Sequence, residues 1–343
     1  LAGIGKTDNI HSCHSPDDHK NDRMYSPLLR LPRSLLFTLL LLTACSGPSD
    51  VHETRFLMGT LVDYTVSGVD QDKAEQAISA AADEMQRIED TFTIYGDQPN
   101  AVKAFNKEAP NTPVTLPDEV SYVLGIALHV QQQSGGAFDP ALGGLNLLWG
   151  FSLDPPPASP PSADAIRAAV PPSHCIRRSG AQWLRTDRRC QLDFGGIAKG
   201  YAIDRGIEVL RQHGITNAII NAGGDLRLIG SHGKRPWRIG IRDPRKPGGV
   251  LAELDLKGDK SIVTSGDYER FFIYQGKRYH HILSPKTGWP AMQNQSTTVM
   301  APSAMLADAW STALFVNATP PERPSSVLLM RVDKAGHIHG KLQ

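Results

Sequence analysis

The sequence predicts an α+β fold in which mixed sheets carry packed helices. Two stretches show apolar residues at helical spacing, and several short runs rich in β-formers lie between and after them. These elements do not alternate as strand and helix in the regular way that a doubly wound parallel sheet requires. A chain of 343 residues with 40% hydrophobic and 21% charged residues can bury a substantial core, as one large domain or two modest ones.

Taken in order, Val51 to Val66 alternates and reads as a first strand around Met58-Gly59-Thr60. Asp70 to Asp90 carries Ala74, Ala77, Ile78, Ala81, Met85 and Ile88 at helical spacing. Leu116 to Ser134 is a second amphipathic helix, and Gly135-Gly136 suits a glycine cap at its end. The proline-rich stretch Asp154 to Pro172 holds a short helical run, Ala163 to Val170, and reads as a surface excursion. Gln182 to Leu192 and Asn217 to Ile229 read as strands flanking a helix from Ile197 to His213. Short strands follow between Trp237 and Tyr274, then a loop at Ser284 to Pro290 and a helix from Ala304 to Phe315. A hairpin turned at Asp333-Lys334-Ala335-Gly336 ends the chain, and no internal repeat is visible. Residues 51–343 are thus expected to form one domain.

The N-terminal region has a different character. Residues 1–23 are polar and aperiodic, and read as an upstream mis-start before Met24. Residues 24–44 combine a basic segment with a short apolar run, too short for a permanent span, and read as a signal peptide. The run closes on Leu42-Thr43-Ala44-Cys45, a lipobox, which makes Cys45 the expected lipidation site and residues 45–50 a short tether. Export with a lipid anchor to a bacterial membrane, facing the periplasm or the cell exterior, follows from that reading. Of the remaining cysteines, Cys175 and Cys190 either pair in an oxidising compartment or stay as two buried thiols. Neither has zinc-site spacing. The net charge of +1 and the lack of any nucleic-acid motif exclude a nucleic-acid partner.

Five segments concentrate glycine, carboxylates and small residues. The first runs from Gly135 to Leu145 and contains Asp139. In the second, Leu192 to Tyr201, two glycines precede a helix start that carries Lys199. Exposed amides beside a cation suit a diphosphate, although the spacing is neither a P-loop nor a dinucleotide fingerprint, and a glycine-rich helix start serves structure as readily. The third, Ile220 to Arg227, is either a ligand contact or a tight turn with Asp225 and Arg227 paired across it. The fourth joins Thr264 to Arg270 with His280-His281 before a Pro/Gly loop. His281 is a candidate general base, and His280 points to the opposite face. The fifth is Ala307 to Ala313, where Asp308 and Thr312 share a helix face and offer hard oxygen ligands to Mg²⁺; a first-turn carboxylate and a back-bonded threonine would look the same.

In this order the five segments resemble the ApbE family of FAD:protein FMN transferases, from Met58 through the terminal hairpin. Tyr95 and the Phe105-Asn106 pair match further family positions. The resemblance implies a T-fold-like α+β architecture and an FAD site lined by Met58, Tyr95, Asp139, Asp193 and Lys199. It implies Mg²⁺ held by Asp308, Thr312 and the carbonyl of Ala198, and His281 as the base that activates an acceptor hydroxyl. Tyr268 and Arg270 match a family segment without a fixed role. Ser284 stands where the family loop usually has aspartate, and the loop around Tyr95 also departs from the commoner pattern.

The activity so implied is Mg²⁺-dependent transfer of FMN from FAD to a Thr or Ser hydroxyl of a protein, with release of AMP. Flavin-accepting subunits of membrane redox complexes are the implied partners. An FAD pyrophosphatase with water as acceptor shares every residue of this pattern. A non-catalytic flavin-binding lipoprotein would not need His281 or the Asp308–Thr312 pair, and a solute-binding lipoprotein for another ligand would need the ordered match to arise by chance.

Overall fold

The computed structural model describes residues 50–342. The expected signal peptide, Cys45 and all but the last residue of the expected tether lie outside them. Strands β1 (Val51–Leu57) and β2 (Thr60–Val66) pair antiparallel through a two-residue turn. Met58-Gly59 is therefore a turn and not the middle of a strand. Both residues have positive φ, 56° and 68°, as tight hairpin turns of this kind require. A methionine there works against local preference, which is why the alternation ran on through it.

Helix α1 (Gln71–Phe92) starts at the Asp70 cap and buries the six predicted residues together with Ala82 and Phe92. A short helix absent from the sequence reading, α2 (Ala101–Lys107), follows under an Asn100 cap. Helix α3 (Asp118–Gln133) ends as anticipated, with Gly135 at φ 64° just past the Ser134 cap. The first glycine-rich segment then winds into a second unforeseen helix, α4 (Gly143–Trp149). Helix α5 (Ala163–Ala169) lies in the proline-rich excursion.

The expected strand from Gln182 to Leu192 is shorter: β3 (Ile176–Ser179) pairs with β4 (Gln182–Arg185), and the chain then turns. A disulfide joins Cys175 to Cys190 across that excursion. Helix α6 (Ala198–Gln212) leads to β5 (Ala218–Ala222) and β6 (Asp225–Ile229), so the segment from Asn217 to Ile229 is a hairpin and not one strand. The remaining elements are β7 (Trp237–Arg242), β8 (Val250–Leu256), β9 (Lys260–Gly266), β10 (Phe271–Tyr274), β11 (Lys277–His280), β12 (Asn294–Ala301), α7 (Ala304–Val316), β13 (Leu328–Asp333) and β14 (Ile338–Lys341).

One eight-stranded sheet organises the fold in the order β1-β2-β5-β6-β9-β12-β13-β14, antiparallel throughout. Side chains alternate across it. Val62, Tyr64, Ile220, Ala222, Val263 and Val299 join the core formed with α1, α6 and α7. Leu226, Leu228, Ile262 and Met300 point the other way and are covered by Trp237, Ile239, Ile241, Leu254 and Leu256 of the β7–β8 hairpin. The result is the predicted α+β class, with helices on one face of an antiparallel sheet and a hairpin on the other.

Candidate active site

The site forms where α6 and α7 meet the ends of β6 and β9. Gly200 is what lets the helices approach so closely: a Cβ there would lie 2.2 Å from the carbonyl oxygen of Ala304. Its N–H donates to Oδ2 of Asp308 at 2.9 Å. Lys199, one residue earlier, sets its Nζ 2.6 Å from Oδ2 of Asp225, whose Oδ1 accepts the N–H of Thr264 at 2.9 Å. Asp225 and Arg227 do not pair across the turn, which Gly223 and Gly224 make at φ 63° and 105°. Both face α6, and Arg227 pairs instead with Asp204 and Asp259.

Two buried carboxyl groups, Asp225 and Asp308, thus stand beside the half-buried Lys199 ammonium. Burial, and then the charge of Asp225, push the Asp308 carboxyl up to about 7, against Lys199 and the Gly200 N–H. Burial works against the Lys199 ammonium as well, but Asp225 and Asp308 outweigh it and hold its pKa above the ordinary lysine value. One turn along α7, Thr312 lies 3.4 Å from Ser265 Oγ, and Ser265 is 2.7 Å from Ser311. Gly196 in the loop before α6 would bring a Cβ within 3.3 Å of Thr312 Oγ1. Asp308 and Thr312, one turn apart on α7, thus both face the start of α6, which carries Ala198.

That donor set fits Mg²⁺. A carboxyl whose pKa is raised by burial and then by a neighbouring carboxylate is relieved by a divalent cation, and Mg²⁺ characteristically takes one or two carboxylates and draws further oxygens from substrate phosphates. Among the described residues no cluster of three or more His, Cys, Asp or Glu could hold a metal by itself. A cation here would need oxygens from the substrate.

The second wall holds Asp139 and Asp193. Asp139 accepts from the N–H of Ala141 at 2.9 Å, and burial raises its pKa. The N–H of Asp193 donates to the carbonyl of Pro140 at 2.8 Å, tying the two glycine-rich segments together. The Asp193 carboxylate accepts from Asn146 of α4 at 2.5 Å and from the N–H of Gly195 at 2.7 Å. Tyr95 is 37% exposed. Burial of its hydroxyl and the nearby Asp193 charge raise its pKa, against a hydrogen bond with Ser152 and the charge of Arg270. Arg270 also reaches the Met58-Gly59 turn, its Nη2 standing 3.0 Å from where a Cβ on Gly59 would be. The Met58 N–H donates to Glu89 at 2.8 Å.

His281 is joined to the same group. Its N–H and its ring Nδ1 both meet the carbonyl oxygen of Arg270, at 3.1 and 3.3 Å. That contact puts the ring proton on Nδ1 and leaves Nε2 with its lone pair. Burial and then Arg270 and His280 push its pKa down to about 3, so the ring is neutral. His280 faces into the core, where Nε2 donates to Ala291 and the ring meets Phe315 edge-on. Tyr268 stacks under the Arg242 guanidinium at 4.7 Å.

The structure therefore brings Met58, Tyr95, Asp139, Asp193, Ala198, Lys199, His281, Asp308 and Thr312 into one connected region. Sequence reading passed over Asn146, Ser152 and Ser265 as contributors. Ser265 sat inside a named segment, whereas Asn146 and Ser152 carried no local signal.

Residues 58–323 match the ApbE family. The chain is 32% identical over 312 residues to a protein of Klebsiella pneumoniae named FAD:protein FMN transferase, covering 86% of this chain and 88% of that one. A Treponema pallidum protein of the same name is 34% identical over 306 residues, covering 80% and 81%. One from Rhodobacter capsulatus is 32% identical over 271 residues, and the match spans about half of that longer protein, 51%. Among solved structures, the ApbE protein of Thermotoga maritima superposes with a TM-score of 0.77 at 33% identity, over 86% of this chain and 97% of that one.

Proposed function

The chain belongs to the ApbE family, and from that membership and the site we propose that it transfers FMN from FAD to a hydroxyl of an acceptor protein. The observation that carries the proposal is a neutral His281, its Nδ1 spent on the Arg270 carbonyl and its Nε2 left with a lone pair, in a site that also holds the Lys199–Asp225 pair. A passive flavin carrier needs no such base.

In this reading Lys199, at the start of α6, binds the FAD diphosphate. Met58, Tyr95, Asp139 and Asp193 hold the rest of the nucleotide. Nε2 of His281 takes the proton of a Thr or Ser hydroxyl on the acceptor. The hydroxyl oxygen bonds to the phosphorus nearest the riboflavin as the bond from that phosphorus to the bridging oxygen breaks. AMP departs with the bridging oxygen, and FMN remains as a phosphoester. Asp308, Thr312 and the Ala198 carbonyl would hold Mg²⁺, which supplies neutralisation of the charge gathering on the diphosphate.

Export and lipidation at Cys45 belong to the same proposal. The Cys175–Cys190 disulfide supports an oxidising compartment. Among the described residues no helix is long and apolar enough to cross a membrane. Membrane redox subunits are the acceptors we propose.

The test is to incubate the chain with FAD, Mg²⁺ and a redox-subunit domain, and to read the acceptor's intact mass. A gain equal to FMN that EDTA abolishes supports transfer. AMP and FMN released without a mass gain would replace the transferase by a pyrophosphatase.

A further inference from the structure

Helix α2 holds two walls of the site through side chains to which no role has been given so far. Nζ of Lys103 donates to the carbonyls of Tyr95, Gly96 and Gln98 at 2.6, 2.9 and 2.7 Å. An ammonium has three donors, and all three are spent on this one loop. One turn further along, Asn106 addresses a different segment. Its Nδ2 donates to the carbonyl of Leu192 at 2.9 Å, and the Leu192 N–H donates back to Oδ1 at 2.6 Å. That is the pair of bonds a neighbouring strand would make, and Asp193 is the next residue.

The helix is itself fixed. Asn100 accepts the Lys103 N–H at its start and donates to the carbonyls of Asp90 and Thr93 at the end of α1, while Val102 and Phe105 are buried in the core. The Tyr95 loop and the Asp193 loop, almost a hundred residues apart in sequence, therefore hang from one short rigid body.

We propose that Lys103 and Asn106 are positioning residues of the flavin site, setting the separation of Tyr95 and Asp193 and thereby the affinity for FAD. The proposal rests on the reading of Tyr95 and Asp193 as FAD-site residues. Loops ordered before the ligand arrives spare it the cost of ordering them, and a displacement of about 1 Å can cost up to ~10²-fold. Lys103 is half-buried and bonds only to loop carbonyls and its own helix, so its loss frees the loop without opening the core.

The experiment uses the full chain in detergent with Lys103→Met, Lys103→Arg and Asn106→Asp, measuring FAD affinity by titration, turnover at saturating FAD, and Tm. Lys103→Met and Asn106→Asp are expected to weaken FAD binding about tenfold, with the loss falling on affinity more than on the saturated rate. Lys103→Arg, which still offers several donors, should recover most of it. Lower Tm with wild-type FAD affinity would reduce both residues to scaffold and overturn the proposal. Should Lys103→Arg be as weak as Lys103→Met, the carbonyl-gathering role fails. A wild-type chain that binds no FAD would remove the flavin reading and this proposal together, whereas FAD binding equal in wild type and variants removes this proposal alone.

Discussion

Gly200 and Asp308 meet through a 2.9 Å hydrogen bond that exists only because α6 touches α7 at a residue without a side chain. The same glycine would place a Cβ 2.2 Å from the Ala304 carbonyl oxygen. The obstacle is backbone, so it cannot turn aside. Gly200→Ala is therefore expected to push the helices apart, with an overpacking cost of about 1–3 kcal/mol. The displacement also carries Asp308 and Thr312 together away from Ala198 on α6. Thermal denaturation should show a lower Tm, and transfer should fall more steeply than stability. An unchanged Tm would mean that the two helices adapt without strain.

Much of this arrangement was legible in the sequence, and the failures have physical causes. The periodicity of α1 survives because twenty-odd residues repeat one pattern against one face of the sheet. Helices α2 and α4 have seven residues each, too few turns for a period to emerge, so Lys103 had no visible place and Asn106 was marked only by its match to a family position. Strand β12 is buried along its whole length and carries Asn, Gln, Ser and Thr, so it shows neither alternation nor an apolar run. Asn294 and Thr298 are satisfied there by the Phe315 carbonyl and by Thr264, partners no local pattern discloses. For Asp225 the residue type was informative but the partner was not. The cross-turn pairing with Arg227 was one of two local readings, and the sheet instead aims both side chains at α6.

Asp308 is the residue on which metal dependence should turn. Its neighbours Thr312 and Ala198 offer only a hydroxyl and a carbonyl, which are weak ligands without a carboxylate beside them. Asp308→Ala should abolish Mg²⁺-dependent transfer and reduce Mg²⁺ binding by calorimetry in the presence of FAD. The Lys199–Asp225 pair stays intact in that variant, so FAD itself should still bind. Near-normal turnover in Asp308→Ala would return the Asp308–Thr312 pair to a purely structural role.

The Cys175–Cys190 bond closes a loop with a sequence separation of 15. A closure of about that length stabilises by ~3 kcal/mol in the chain-entropy account. The loop leads directly into Gln191, Leu192 and Asp193, so the site shares in whatever order it confers. Replacing both cysteines by serine should lower the denaturant midpoint, and reductant should then have no further effect on the variant. Equal midpoints for wild type with and without reductant would show that the bond contributes nothing measurable.

His281 gives the chain a distinct response to acid. Burial first, then the positive charges of Arg270, His280 and Lys199, hold its pKa down to about 3, against the carbonyl of Arg270. His280 is held to about 4, mainly by burial and then by Arg278 and Arg245, against Asp267 and the Ala291 carbonyl. In the unfolded chain both rings titrate near 6.5. Between that value and the folded ones the unfolded state binds more protons, so stability is full above about pH 6.5 and falls as the pH drops. Asp308 opposes this trend, because its raised pKa makes the folded state the better proton binder between 3.8 and about 7. Replacement by glutamine separates the contributions. His281→Gln should make the decline in stability between about pH 6 and pH 4 shallower by up to one proton. The same variant should bind FAD and fail to turn over. An unaltered slope would mean that His281 takes up its proton in the folded chain as readily as in the unfolded one, and a base so exposed would need a different source for its activation.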